Sequence, residues 1–324
     1  MPEMNIAQAL NSALTIALED DNVVLIGEDV GATGGVFRVS DGLQAKYGEE
    51  RVIDAPVAES GIVGAAFGMA IAGVTPIAEI QFMGFSYPAF DQVINHVARI
   101  RNRSRGRFTA PMVIRIPYGA GIGAAEHHSE SAEAIYVQSP GVKVVVPSTP
   151  YDAKGMLLAA VADPDPVVFL EPIRLYRSIK QDIPEAAYTV PLGAAAHLRE
   201  GTDVSLIGYG SMMREVNAAA DQLIAGGVSV DVIDVRSLVP FDAELVIDSA
   251  QRTGRVVIVQ EAPRSAGFAA EIATQIQEKA LYSLNAPIER VTGYDIVVPL
   301  RRAEKHFVPS VDKVVAAAKR TLSA

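Results

Sequence analysis

The apolar positions along the chain switch repeatedly between helical spacing and short continuous runs. Ile6, Leu10 and Leu14 lie on one helical face. An apolar run over 23–26 reads as a strand, followed by a glycine-rich loop over 28–35. A strand at 52–53, a helix over 60–72 and a strand over 75–82 come next. Residues 87–101 read as one amphipathic helix with Phe90, Val93, Ile94 and Val97 inward. Strands are expected at 112–116, 142–146 and 167–170, with a helix over 151–162 between the last two. A polar stretch with two prolines then covers 179–191. Beyond it the alternation is more regular, with strands at 204–209, 228–235, 256–260 and 288–291. Helices are expected over 211–225, 243–252, 266–284 and 311–322. Apolar strands separated by helices predict an α/β fold with two mostly parallel sheets, each covered on both faces. The expected organisation is a first domain over 1–178, a linker over 179–191 and a second domain over 192–324.

Composition narrows the function classes. The 324 residues are 49% hydrophobic and 20% charged, ordinary for a globular chain. The net charge of −10 argues against general nucleic-acid binding, which needs a basic footprint. Cysteine is absent, so neither a disulfide framework nor a thiolate metal site is possible. That fits a cytoplasmic location, or the mitochondrial matrix for a processed eukaryotic chain. No secretory signal pattern opens the sequence. The uncharged stretch between Glu59 and Glu79 has nearly the length of a membrane span. It is interrupted by Gly61, Gly64, Gly68, Gly73 and Pro76, and reads as a buried helix, a turn and a buried strand.

Four features carry candidate chemistry, each with a structural alternative. Glu59 opens a small-residue helix after a proline-containing turn. Beside apolar residues its carboxyl could move protons, or it could simply complement the helix dipole. Gly64-x-x-x-Gly68 allows close packing, within the chain or against a partner. His127 and His128 follow the glycines of 119–123, where a histidine can act as acid, base or metal ligand, or lie solvated; no matching ligand set stands nearby to favour a metal. Gly208-Tyr-Gly-Ser211 opens a helix after a strand but lacks the full dinucleotide and P-loop patterns, which favours a structural turn.

An ordered set of motifs then points to a family. Leu25-Ile-Gly-Glu-Asp-Val30, Asp54-Ala-Pro-Val-Ala-Glu-Ser-Gly61, Glu79-Ile-Gln-Phe82, Phe90-Asp-Gln-Val-Ile-Asn95 and His128-Ser-Glu-Ser131 occur in sequence. Pro140-Gly-Val-Lys-Val-Val-Val-Pro147, Tyr151-Asp-Ala-Lys-Gly155, Phe169-Leu-Glu-Pro172 and Thr253-Gly-Arg-Val-Val257 follow. From about Met4 onward the chain resembles the beta subunits of thiamine-diphosphate-dependent 2-oxoacid dehydrogenases. The resemblance implies a transketolase-like pyrimidine-binding domain followed by a transketolase C-terminal-like domain. It implies an alpha-two beta-two assembly that decarboxylates a 2-oxoacid and reductively acylates the lipoyl group of an acyltransferase core.

The resemblance also implies residue roles. Glu59 matches the glutamate that hydrogen-bonds the cofactor pyrimidine and promotes its imino tautomer. Phe85 matches the ring stacked on that pyrimidine. Val57 and Gln81 match positions near the cofactor, and Glu28 an acid close to Glu59. His128 matches the histidine near the reacting carbon. Met112, Ala160, Val161, Asp163 and Asp165 match a potassium site built largely from carbonyl oxygens, with Asp165 where relatives often carry asparagine. The chain contains no Gly-Asp-Gly. The magnesium and cofactor diphosphate are therefore expected on the alpha subunit. Glu79-Ile-Gln-Phe82 and Pro88-Ala-Phe-Asp91 favour a branched-chain 2-oxoacid, with pyruvate as the alternative and acetoin behind it.

Overall fold

The computed structural model describes all residues, Met1–Ala324. Two sheets organise it. The first has seven strands, in spatial order Ser237–Val239, Lys143–Val145, Val167–Pro172, Val113–Tyr118, Thr75–Glu79, Val23–Gly27 and Val52–Asp54. Six of these are parallel; Ser237–Val239 alone runs antiparallel, against Lys143–Val145. The second sheet has five, in order Glu289–Gly293, Val256–Pro263, Val204–Gly208, Val230–Asp234 and Ala196–Arg199. Only Ala196–Arg199 is antiparallel there. Val23–Gly27, Val204–Gly208 and Val230–Asp234 are buried at every position, because helices cover both sheet faces.

Local signals start the main helices. Asn5 caps Ile6–Ala17 in a capping box with Gln8, which fixes the face carrying fully buried Ile6, Leu10 and Leu14. Thr149 caps Pro150–Val161 by accepting the Asp152 N–H at 3.1 Å, and Pro150 occupies the first turn, where no N–H is needed. Glu59–Ile71 is followed by Gly73 at φ +97 and then strand Thr75–Glu79, so the long uncharged stretch folds as helix, turn and strand. No helix is long and apolar enough to cross a membrane.

Several expectations need correction. The amphipathic stretch 87–101 is not one helix. It comprises a 3₁₀ segment Met83–Ala89 containing Pro88, a short α turn Phe90–Gln92, a π segment Val93–Val97 and the helix Ile100–Arg103. The strand expected over 75–82 ends at Glu79, and the helix expected over 266–284 is Phe268–Ala280 with a 3₁₀ turn Leu281–Ser283. Strands Ala196–Arg199 and Ser237–Val239 and helix Arg301–Phe307 carried no readable period.

The stretch 179–191 is tied down. Gln181–Asp182 pairs with Glu3–Met4, and the Lys154 ammonium donates to the Pro184 and Glu185 carbonyls at 2.7 and 2.8 Å. The two sheets also share apolar core, with Ile114, Tyr118 and Val146 in one cluster with Ile207, Tyr209 and Ile233.

Candidate active site

The parallel strands of the first sheet end side by side, and the expected pyrimidine-site residues sit just beyond those ends. In open α/β sheets this carboxyl edge is where ligands bind. Glu28 follows Val23–Gly27, and Glu59 begins the helix reached from Val52–Asp54 through the turn at 55–58. Gln81 and Phe85 follow Thr75–Glu79, and His128 lies on the loop after Val113–Tyr118. The topology thus gathers at one edge residues that lie up to a hundred positions apart.

Local contacts set their placement. The Gly31 N–H donates to Asp54 Oδ1 at 2.7 Å, which folds the 28–35 loop over the neighbouring strand end. A side chain at Gly31 would collide with that carboxylate. Glu28 is half-buried, and burial pushes its carboxyl above the ordinary range; the nearby charges of Asp29 and Glu59 add to the effect. Glu28 and Glu59 are therefore electrostatic neighbours. The Ser60 hydroxyl donates to the Pro88 carbonyl at 2.9 Å, tying the start of the Glu59 helix to the segment that carries Phe85.

His128 is held in an aromatic corner. Its ring meets Phe82 at 4.4 Å between centroids and Phe85 at 5.1 Å, both edge to face. Gly84 is required here, because a Cβ would overlap the His127 carbonyl oxygen. His127 itself points outward, with 66% of its side chain exposed and Glu126 at 3.6 Å. Phe82 was missed as a site residue: its place in the Glu79–Phe82 motif was visible, but an isolated apolar residue reads as core.

Two buried polar atoms on this edge, Gln81 Nε2 and His128 Nδ1, have no hydrogen-bond partner within the chain. Such atoms cost about 1–3 kcal/mol each when left unsatisfied. Their presence fits residues that hydrogen-bond a polar ligand. The apolar Val57, in the turn before Glu59, is 70% exposed, and Ala58, Gly61, Ala65 and Gly68 form an exposed small-residue face on the helix that follows. Nothing in the chain lies within 4 Å of a Cβ built at Gly68.

Behind the edge lies a buried ionic core. Arg115 donates to Glu171 at 2.6 and 2.9 Å and to Glu79 at 2.5 Å, and the Tyr176 hydroxyl donates to Glu171 at 2.5 Å. Burial pushes Glu79 upward, against the pull of Arg115. This core props the strand ends that carry Gln81 and the His128 loop.

The two domain models that match are those of the transketolase pyrimidine-binding domain, over residues 2–178, and the transketolase C-terminal domain, over residues 193–314. The pyruvate dehydrogenase E1 component subunit beta of Acholeplasma laidlawii is 52% identical over 98% of this chain and 97% of its own length. The protein of that name from Bacillus subtilis (strain 168) is 48% identical over 99% of both chains. The chain belongs to the E1 beta subunits of the 2-oxoacid dehydrogenases. A solved structure described as a split-gene transketolase, inactive beta4 tetramer, shares the fold, with TM-score 0.81 at 23% identity over 99% of this chain and 98% of its own. Among E1 beta subunits the similarities carry the pyruvate name, and so favour that alternative over the branched-chain expectation.

The residues of this E1 beta subunit from which a potassium site was expected lie at the opposite, amino edge of the first sheet. The Met112 carbonyl accepts the Val167 N–H at 3.0 Å. Ala160 and Val161 end their helix, and the Ala160 carbonyl accepts the Asp163 N–H at 3.3 Å. The Asp163 carboxylate pairs with Lys143 and accepts the Asp165 N–H at 2.9 Å; Asp165 pairs with Arg101 at 2.6 Å. No three His, Asp or Glu side chains gather in metal-binding geometry anywhere in the chain.

Proposed function

We propose that this chain is the beta subunit of a pyruvate dehydrogenase E1 component and supplies the pyrimidine half of a thiamine diphosphate site. The observation that carries this is the set Glu28, Glu59, Gln81, Phe85 and His128 at one strand-end edge, with two buried polar atoms lacking partners. Thiamine diphosphate held by Glu59, Gln81 and Phe85 would supply a nucleophilic carbon and an electron sink for decarboxylation of a 2-oxoacid. Glu59 would hold the pyrimidine ring nitrogen and exchange a proton with it. Glu28, with its carboxyl raised by burial and by the charges of Asp29 and Glu59, would relay protons to that position. Phe85 supplies a flat apolar face, while Val57 and Gln81 fix the ring. His128 orients and stabilises the substrate oxygen.

The other half of the site belongs to an alpha partner that binds magnesium and the diphosphate, in an alpha-two beta-two assembly. Exposed Val57 and the exposed small-residue face next to Glu59 supply a surface on which that partner can close. None of the five principal clefts of the single chain is lined by Glu28, Glu59, Gln81, Phe85 or His128. We divide the roles between a cofactor-facing domain over 1–178 and a domain over 192–324 that serves assembly and docking to the lipoyl acyltransferase core. A potassium ion at Met112, Ala160, Val161, Asp163 and Asp165 would stiffen the amino edge. Steady-state rates of the reconstituted enzyme test the substrate: pyruvate should be preferred, and a preference for 3-methyl-2-oxobutanoate would restore the branched-chain reading.

A further inference from the structure

The loop that carries His128 is gripped by the second domain. Its base is closed by the Gly119 N–H, which donates to the Glu130 carbonyl at 2.9 Å. Gly119, Gly121 and Gly123 take φ +97, +103 and +71, values that side chains resist. These turns aim three donors, the N–H groups of Ala120, Gly121 and Gly123, at carboxylates from beyond residue 192. Glu261 accepts the Ala120 N–H, and its other oxygen accepts the Ser211 hydroxyl. Glu304 uses one oxygen for the Gly121 N–H at 2.6 Å and the other for the Gly123 N–H at 2.9 Å. Glu261 and Glu304 are only 2% and 6% exposed. On the far side of His128, buried Glu133 accepts the Tyr209 hydroxyl at 2.7 Å.

We propose that Glu304, with Glu261, is a positioning residue for His128: the second domain clamps the glycine turns upstream and Glu133 downstream, and so sets where the imidazole stands. This gives that domain a part in the chemistry beyond assembly, and it rests on the reading of His128 given above. Charge-assisted hydrogen bonds to backbone N–H groups are the strong kind, and Glu304 makes two from one side chain. Loss of Glu304 leaves the Gly121 and Gly123 N–H groups without their carboxylate partner, and only the Ala120 N–H to Glu261 bond then holds these positive-φ turns to the second domain. Displacing a catalytic group by about 1 Å costs on the order of 100-fold in rate.

The test uses Glu304→Gln in the chain co-purified with its alpha partner, alone and combined with His128→Ala. Glutamine keeps one acceptor oxygen and turns an amino group on the other donor. Hydrogen exchange should accelerate over 119–130, with the rest of the second domain unchanged. Turnover should fall about 10–100-fold with normal His128, and by less than about twofold in the His128→Ala background, since coupled residues are non-additive. Unchanged exchange, unchanged turnover, or equal losses in both backgrounds would overturn the proposal. His128→Ala with normal turnover would remove the site reading itself, and this proposal with it. Should Glu304→Gln fail to assemble, Glu304→Asp, which keeps the charge but shortens the reach, is held to the same outcomes.

Discussion

Phe82 and His128 meet edge to face with ring centroids 4.4 Å apart, and this contact, with Phe85 on the other side, fixes the imidazole at the strand-end edge. His128→Ala should lower turnover of the assembled enzyme about 10²–10³-fold, the loss typical of a positioned acid or oxygen-stabilising donor. Thiamine diphosphate affinity should change little. His127→Ala should leave turnover near normal, since that side chain faces solvent. The opposite pattern would shift the assignment by one residue.

The buried Arg115 neutralises Glu79 and Glu171, with all three nearly inaccessible to solvent. Arg115→Met should strand two carboxylates and destabilise the fold by about 3–5 kcal/mol. Urea denaturation of the purified chain measures this. A loss below about 1 kcal/mol would show that the carboxylates find other partners.

Glu261 gives the clamp a pH signature. Burial raises its carboxyl from 4.5 to about 7, with Glu133 adding, while Ser211, the Ala120 N–H and Arg174 pull the other way; Tyr118 and Tyr209 are also close. The folded chain retains a proton that the unfolded chain releases above about pH 4.5. The stabilisation is therefore present below that pH and is lost as pH rises to about 7, on the order of 3 kcal/mol. Glu261→Gln should flatten the fall in denaturation midpoint across this window. Asp234, raised by burial to about 7 with Asp152 adding while Ser148 and Arg236 pull the other way, contributes in the same direction and remains in the variant. Parallel wild-type and variant curves would remove Glu261 as a titrating group.

Potassium should stabilise the first domain. Replacing it with a bulky organic cation at equal ionic strength should lower the denaturation midpoint, because an ion bound only to the folded chain stabilises by mass action. Oxygen ligands suit a hard cation. Asp165→Asn, which frees Arg101, should preserve the potassium effect. Equal midpoints in both cations would argue against the ion.

Much of this was legible in the sequence because continuous apolar strands and capped helices announce themselves. Val23–Gly27, Glu59–Ile71 and Pro150–Val161 lie close to their expected positions. The edge grouping of Glu28, Glu59, Gln81 and His128 follows from parallel topology together with the family resemblance. Phe82 was hidden because one buried aromatic looks like any other. Glu304 was hidden more deeply, since Arg301–Phe307 reads as a charged surface segment and its partners lie over 180 residues away. Glu261 fell one residue beyond the strand end expected at 260. Broken helicity across 83–103 depends on packing that no period reveals.

The half-site account is tested most directly by assaying thiamine-diphosphate-dependent decarboxylation of pyruvate with this chain, its alpha partner and the two together. Activity should arise only on mixing. Glu59→Gln should still assemble but turn over roughly 10²–10⁴-fold more slowly, the range for lost acid–base catalysis. Robust decarboxylation by the purified chain alone, or full activity of the Glu59→Gln assembly, would contradict the account.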